Sequence, residues 1–259
     1  MSAILSSGVN VSGPPVSSPP VSSPPVSSPD AQIQPKKDVV PRGIRYSFTL
    51  TYILLMTTAT ITFIEAIRTQ NPMVRHVLNL ETCISVVAGY FYSIFVGKLN
   101  DYEATNTEIN WKELTFARYV DWSITTPMML LALCIVLSNE IGISIHFPVM
   151  LAIIVLNYLM LYIGYLGESE ALGRSAASFF GFVPFLAMFG LVFWKYVKPK
   201  YSLANRALFS IYFVVWSMYG LVYLLDNANK NIAMNLLDLT AKCVIGLGLW
   251  VYYVKVIRL

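Results

Sequence analysis

The sequence predicts an all-α membrane protein in which seven transmembrane helices form a bundle. Of its 259 residues, 56% are hydrophobic and only 12% are charged, which excludes a soluble domain. From Tyr46 onward, apolar stretches of about 20 residues follow one another, and each is long enough to cross ~30 Å of hydrocarbon. Few charged residues interrupt these stretches. We therefore expect an integral, multi-pass protein of the plasma membrane or of a host-cell membrane.

The segment before the first apolar stretch has a different composition. Between Pro14 and Pro29 the sequence Pro-Pro-Val-Ser-Ser occurs three times. Such a segment cannot bury enough apolar surface to offset the entropy of ordering, and its prolines favour polyproline geometry. This predicts a disordered Pro/Ser-rich tail over residues 1–42 and a seven-helix membrane domain over residues 43–259.

The distribution of charges in the loops predicts how the spans are oriented. Lys and Arg are concentrated after the first and fifth spans and at the C-terminus, whereas most acidic residues lie in the other loops. By the positive-inside rule, the N-terminus is outside, although basic residues just before the first span argue the other way. The predicted spans are residues 46–67, 79–98, 113–137, 142–165, 174–197, 203–225 and 231–257.

Taken in order, the spans contain few charges away from their ends. Glu65 lies near the cytoplasmic end of the first span, where its side chain can reach the interface. Glu81 lies near the cytoplasmic start of the second span, or deeper if that helix begins just after Pro72. The third span contains Arg118 and Asp121. The fourth, fifth and sixth have charges only near their ends.

The seventh span contains the two charged residues on which the functional interpretation depends most. Asp238 and Lys242 are the only charged residues between Lys230 and Lys255, and an ionised group at mid-bilayer costs about 2.5–3.5 kcal/mol on insertion scales. Four residues apart, they share one helix face and can meet. This stretch alone fits a structural ion pair and a lysine held for Schiff-base chemistry equally well.

The third span favours the second interpretation. Asp121 and Arg118 bring the buried set to two acids, one lysine and one arginine, so the formal charges balance. That balance suits a protonated Schiff base with a two-carboxylate counter-ion beside a guanidinium.

Several motifs together resemble the microbial (type 1) rhodopsins, which are seven-helix retinal proteins. They are Arg-Tyr-Val-Asp-Trp-Ser-Ile-Thr-Thr-Pro at 118–127, Trp-Ser-Met-Tyr at 216–219 and Asp-Leu-Thr-Ala-Lys at 238–242. Gly-Tyr-Leu-Gly-Glu at 164–168 resembles the proteorhodopsin branch. The similarity extends over the whole chain after the tail.

The resemblance implies that Lys242 carries all-trans retinal as a Schiff base. It implies that Asp121 is the primary counter-ion and proton acceptor and that Asp238 is the second counter-ion. Further residues implied at the site are Arg118, Thr125 and Tyr92 around the carboxylates, and Trp122, Thr126, Met129, Trp216 and Tyr219 in the retinal pocket.

The chain departs from the family pattern at several positions. Ala132 stands where outward proton pumps often carry a carboxylate donor, and Phe91 stands where many proteorhodopsins carry a histidine. Gly220 replaces the usual sixth-helix proline. The missing donor, together with Glu81 in the second helix, resembles the rhodopsins of giant algal viruses.

Three functions compatible with the resemblance remain open. Outward light-driven proton transport ranks first, because Asp121, Thr125, Arg118 and Asp238 are all present. A light-gated cation channel follows, with Glu81, Asn231 and Asn235 lining a water path, and a photosensory receptor is the third.

The expected partners follow from the same reading. They are the lipid bilayer, the transported protons or cations, and further copies of the chain in a homo-oligomer. No enzymatic activity, metal site or nucleic-acid partner is expected. The three scattered cysteines show no metal or disulfide spacing, so each is predicted to pack in the core.

Overall fold

The computed structural model describes residues 39–253, together with Gly13 alone. Apart from Gly13 and its last four residues, the predicted tail lies outside the described residues, and its disorder stays a prediction. Asp38–Leu259 is one compact unit. Val40 is buried in this unit and belongs to the same apolar cluster as Ile44 and Phe48 of the first helix.

Seven helices follow one another through the described residues, and no strand occurs among residues 39–253. The predicted seven-helix bundle is therefore confirmed. The helices are α1 (Arg42–Arg68), α2 (Pro72–Thr105), α3 (Trp111–Ile141), α4 (Phe147–Glu168), α5 (Arg174–Val197), α6 (Leu203–Val222) and α7 (Asn227–Val251).

Polar capping residues determine where α2 ends, and hydropathy alone missed them. The predicted span of residues 79–98 is much shorter than Pro72–Thr105. The Asn71 side chain accepts hydrogen bonds from the backbone amides of Met73 and Val74, and Pro72 fits the first helical turn. At the other end, Asn106 adopts a left-handed conformation with φ 54°. Glu81 consequently lies more than two turns inside the helix.

The start of α4 was also predicted wrongly. The predicted span begins at residue 142, but Gly142 is the left-handed C-cap of α3, with φ 74°, and α4 begins only at Phe147. Pro148 then occupies the first turn of α4, where its missing amide costs nothing.

Two helices contain a wider π-helical turn. One is Phe193–Val197 at the end of α5, and the other is Leu239–Val244 in the middle of α7. A π turn hydrogen-bonds each residue to the fifth rather than the fourth along the chain, so it changes the direction in which the following side chains point. The π turn of α7 contains Lys242.

Six of the seven helices, all except α6, meet the length and hydropathy expected of a membrane span. The buried Asn205 amide donates to the backbone carbonyls of Leu137 in α3 (2.9 Å) and Tyr196 in α5 (3.2 Å). One polar side chain thus joins three helices at this end of the bundle. We call this end the C-terminal face, and the end where α1 and α7 begin the N-terminal face.

The outer surface of the bundle is apolar, as expected for a multi-pass membrane protein. Large side chains such as Phe179 and Tyr162 are exposed. Cys83 is also exposed, so the prediction that all three cysteines pack in the core is wrong for this one. An apolar run contains both lipid-facing and core-facing positions, and the thiol suits either.

Candidate functional site

Lys242 lies in the interior of the bundle, where its side chain is 1% exposed. Its Nζ is 2.8 Å from Oδ2 of Asp121 in α3 and 3.7 Å from Oδ2 of Asp238, one turn earlier in α7. The structure thus brings together the lysine and both carboxylates that the sequence predicted. Its amine is available for covalent chemistry only from the interior of the bundle.

Asp238 is held by hydrogen bonds at both carboxylate oxygens. Its Oδ1 accepts from Tyr219 Oη (2.7 Å) and Trp122 Nε1 (3.2 Å). Its Oδ2 accepts from Tyr92 Oη (2.8 Å) and Arg118 Nη1 (3.3 Å). Hydrogen bonds of this kind stabilise the ionised form.

Asp121 has a different environment. Lys242 donates to its Oδ2, whereas its Oδ1 has no hydrogen-bond partner within residues 39–253. The Thr125 hydroxyl, predicted one turn away, donates to the backbone carbonyl of Asp121 at 2.9 Å and not to its carboxylate. The two carboxylates beside the Lys242 amine therefore differ in the number of hydrogen bonds that they accept.

Arg118 is fixed on the N-terminal side of the two carboxylates. Its Nη2 donates to the amide oxygens of Asn235 (2.7 Å) and Asn231 (3.1 Å). The rings of Phe48 and Phe95 each lie 5.4 Å from its guanidinium carbon. Hydrogen bonds and cation–π contacts together leave the guanidinium little freedom.

An apolar, aromatic slot extends from Lys242 between α3, α5 and α6. It encloses a cavity of about 120 Å³. Trp122 and Tyr219 meet edge to face at its wall, with ring centroids 5.4 Å apart. Tyr92 does not line the slot, because its hydroxyl lies behind Asp238. The predicted pocket residues that do line it are Trp122, Thr126, Met129, Trp216 and Tyr219.

The lining of this slot fits a long, flat, apolar group attached to the lysine amine. Gly220, where the family usually has proline, packs directly on Phe182: a Cβ there would lie 2.6 Å from the Phe182 ring. Glycine at this position therefore leaves room for an aromatic wall that a larger residue would displace.

Glu81 occupies the C-terminal half of the core. It is 2% exposed, and its Oε1 has no hydrogen-bond partner among the described residues. A Cβ on Gly246 of α7 would lie 2.8 Å from Glu81 Oε2, so the carboxyl group packs against the turn that follows Lys242. Of the two placements that the sequence allowed, the deeper one is correct.

Two buried polar pairs were missed by sequence reasoning. Asn157 of α4 donates to the Thr126 hydroxyl at 2.8 Å, and Lys230 donates to both carboxylate oxygens of Glu168 at 2.8 Å. Asn157 is the only amide side chain in the apolar α4, a signal that could have drawn attention to it. Lys230 and Glu168 lie at predicted span ends and were counted as loop charges.

Comparisons with known proteins agree with the site. The family described as bacteriorhodopsin-like protein matches residues 43–256. The solved structure of viral rhodopsin OLPVRII is 43% identical, and the match covers 82% of this chain and 98% of that one, with a TM-score of 0.75. The comparison with curated protein sequences gave no match.

More distant structures share the fold. The proton pumping rhodopsin AR2 from the marine alga Acetabularia acetabulum is 18% identical over 86% of this chain and 99% of that one, with a TM-score of 0.68. The blue light-absorbing proteorhodopsin from Med12 is 19% identical over 83% and 99%, with a TM-score of 0.64. The expected resemblance is confirmed: this chain belongs to the bacteriorhodopsin-like family, the microbial rhodopsins, whose members bind retinal through a Schiff-base lysine.

Proposed function

We propose that this protein binds all-trans retinal at Lys242 and moves protons outward across the membrane in the light. Membership of the family supports light-driven ion transport in general. The observation that carries the finer proposal is the difference between the two carboxylates beside Lys242. Asp238 accepts four hydrogen bonds, whereas Asp121 accepts one and keeps a free oxygen.

This difference supports Asp121 as the proton acceptor. Protonating Asp238 would weaken its ion pair with Arg118 and its hydrogen bonds with three neutral donors, whereas protonating Asp121 disrupts only its contact with Lys242. A proton on Nζ of Lys242 already lies in a hydrogen bond to Oδ2 of Asp121, with 2.8 Å between the nitrogen and the oxygen. The transfer neutralises both groups, so it leaves no unpaired charge at that position.

Retinal, when bound to Lys242, supplies the absorption of light and an isomerisation that changes the proton affinity of the linked nitrogen. The chain supplies the remaining functions. Arg118 and Asp238 maintain a fixed field on the N-terminal side. Trp122 and Trp216 confine the slot, and the apolar surroundings exclude bulk water.

Glu81 is the group that returns a proton to Lys242. Ala132 leaves α3 without a carboxylate at the usual donor position, and Glu81 lies on the opposite side of the core from Arg118. Burial without a cationic partner among residues 39–253 favours the neutral, protonated carboxyl group of Glu81. Its position against Gly246, four residues after Lys242, is consistent with a donor on the cytoplasmic side if the N-terminus is outside.

A light-gated cation channel is the second candidate. Buried hydroxyl and amide groups occur on both sides of the Lys242–Asp121 pair: Thr51 and Asn235 towards the N-terminal face, and Thr58 and Ser85 near Glu81. Such groups suit a water path that opens transiently. A photosensory role is the third possibility.

Photocurrents in a voltage-clamped cell test the proposal directly. A proton pump gives outward current that keeps its sign at every holding potential, and Lys242→Ala gives none. A current that reverses at a potential set by the ion gradients identifies a channel. If a cell that contains the pigment gives no current, the photosensory role is the candidate that remains.

A further inference from the structure

A second buried charge cluster lies at the N-terminal face, away from the retinal site. We call Glu168, Arg174, Asn227 and Lys230 the outer cluster. Nζ of Lys230 lies 2.8 Å from both Glu168 oxygens, and the two side chains are only 2% and 5% exposed. Arg174 adds a second cation 3.7 Å from Glu168. The cluster therefore joins the end of α4 to the starts of α5 and α7.

The outer cluster is connected to the retinal site by consecutive polar contacts. Arg118, which binds Asp238, donates to Oδ1 of Asn231 at 3.1 Å. The Asn231 amide donates to the backbone carbonyl of Asn227 at 2.8 Å. The Asn227 side chain in turn accepts from Arg174 at 3.1 Å. Each step is a direct contact between described residues.

Exposure rises along this path. Asp238, Arg118 and Asn231 are almost fully buried, whereas the Arg174 side chain is 40% exposed. Other titratable groups around Glu168 are Tyr119 of α3 and Tyr223 after α6, both within electrostatic range of it. The ring of Tyr223 also lies 5.9 Å from Nζ of Lys230. The outer cluster is thus where the buried network reaches the membrane surface.

We propose that the outer cluster is the gate at the N-terminal face of the transport path, and that the Lys230–Glu168 ion pair keeps it closed. The proposal rests on the transport function above. In the closed state the first turn of α7 is bound to α4 and α5, so Asn231 and Arg118 stay out of contact with bulk water. Opening exchanges the two Lys230–Glu168 hydrogen bonds for hydrogen bonds to water. No covalent bond changes, and neither residue needs to carry the transported proton.

The rate at which outside protons reach Asp121 in the dark tests the gate. In stopped-flow experiments on the purified pigment in sealed vesicles, with the pH jump applied to the solution at the N-terminal face, protonation of Asp121 is followed by the red shift of the visible band. Glu168→Gln and Lys230→Met should each speed this shift by roughly tenfold or more, because each removes the Lys230–Glu168 ion pair and weakens the closed state. Lys230→Arg, which keeps the charge and the donors, should restore slow kinetics.

A surface ion pair of the same residue types provides the matched control. Lys112 and Glu170 lie 3.0 Å apart, but both side chains are 73% exposed. Lys112→Met and Glu170→Gln should leave the pH-jump rate unchanged. If a single gate variant fails to fold, Glu168→Gln combined with Lys230→Met removes both charges of the buried pair together, so neither of these two residues is left as a buried unpaired ion.

Wild-type kinetics in this double variant, or in both single variants, would overturn the proposal. The test does not depend on transport, since it needs only the pigment and its counter-ion. If the gate variants show faster pH-jump kinetics but the wild type gives no photocurrent, the gate is supported and the proposed transport function is rejected. If the wild type gives a normal photocurrent but the gate variants show unchanged pH-jump kinetics, the gate is rejected and the transport function is not.

Discussion

Lys242 and Asp121 form the shortest ion pair of the retinal site, with 2.8 Å between Nζ and Oδ2, while Asp238 lies 3.7 Å from the same nitrogen. The nearer carboxylate has the fewer competing partners. Asp238 is bound by Tyr92, Arg118, Trp122 and Tyr219. We therefore expect Asp121 to change its protonation state and Asp238 to keep its charge, and this expectation underlies the predictions below.

The first prediction concerns chromophore attachment. Among residues 39–253, Lys242 is the only lysine in contact with the two carboxylates, so adding all-trans retinal to Lys242→Ala should give no visible absorption band. Absorption spectra of the purified protein with and without retinal measure this. Lys230→Met, a change at the other buried lysine, is the control and should retain the band. A band of normal position and intensity in Lys242→Ala would contradict the attachment of retinal at Lys242.

The second prediction is the dependence of colour on pH. A negative carboxylate beside the protonated nitrogen stabilises its positive charge in the ground state. As pH falls, protonation of Asp121 removes that negative charge, so the visible band should move to the red. Asp121→Asn should show the red-shifted band already at neutral pH. If neither acid nor this substitution moves the band, Asp121 is not the counter-ion.

The third prediction concerns the residue that sets the absorption maximum. Met129 is apolar and lines the slot, and in some relatives a polar glutamine in the pocket shifts absorption to the blue. We therefore expect green absorption from the wild type and a blue shift in Met129→Gln. Met129→Leu keeps an apolar side chain of similar volume and should absorb close to wild type. Equal maxima in all three proteins would contradict this assignment.

The fourth prediction tests Glu81 as the internal donor. Glu81→Gln removes the proton but keeps the shape of the side chain, so the intermediate in which Lys242 is deprotonated should decay more slowly. Added azide, a small diffusible acid, should restore the decay. Flash photolysis with and without azide measures both effects.

Glu65 provides the control for this measurement. It lies near the same end of the bundle, where it pairs with Arg68 at the surface at 3.2 Å. Glu65→Gln should leave the decay unchanged. Altered conductance without altered decay in Glu81→Gln would favour the channel, and no effect on either would remove Glu81 from the mechanism.

The fifth prediction concerns the start of α7 and its stability in acid. Hydrogen bonds from the Asn229 backbone amide and side chain lower the pKa of Asp226, the exposed N-cap of this helix. A lowered pKa means that the stabilisation is present at neutral pH and is lost as pH falls through the lowered value. Thermal denaturation should show a lower Tm for Asp226→Ala than for wild type at neutral pH. The difference should shrink in acid, and a difference that is constant with pH would contradict the role of the charge.

Much of the fold could be predicted from the sequence, because the membrane requires long apolar helices and makes every buried charge conspicuous. Lys242, Asp121 and Asp238 were identified on that ground and proved to be neighbours. The length of α2 could not be predicted from hydropathy, because its first and last turns are polar and extend beyond the apolar stretch. Asn71 at the N-cap and Pro72 after it were the available signals.

The contacts of Lys230 could not be predicted from the sequence. A lysine at the end of a span normally extends to water, so it was counted among the loop charges. Its burial depends on Glu168, 62 residues earlier in the chain, and on the tertiary fold that brings the end of α4 near the start of α7. Periodicity and charge counting contain no information about such a pair.

The π turn at Leu239–Val244 also determines which face of α7 meets Glu81. In an uninterrupted α-helix, Gly246 would be rotated by roughly 80° from Asp238 around the helix axis. A π turn advances by a smaller angle per residue, so over its six residues Gly246 returns to within roughly 30° of Asp238. Gly246, which contacts Glu81, and Asp238 therefore lie in one line along α7, on either side of Lys242. If the same residues formed an ordinary α-helix, the two halves of α7 would be rotated apart by roughly 110°, and the reactive amine could then face only one of its two proton partners.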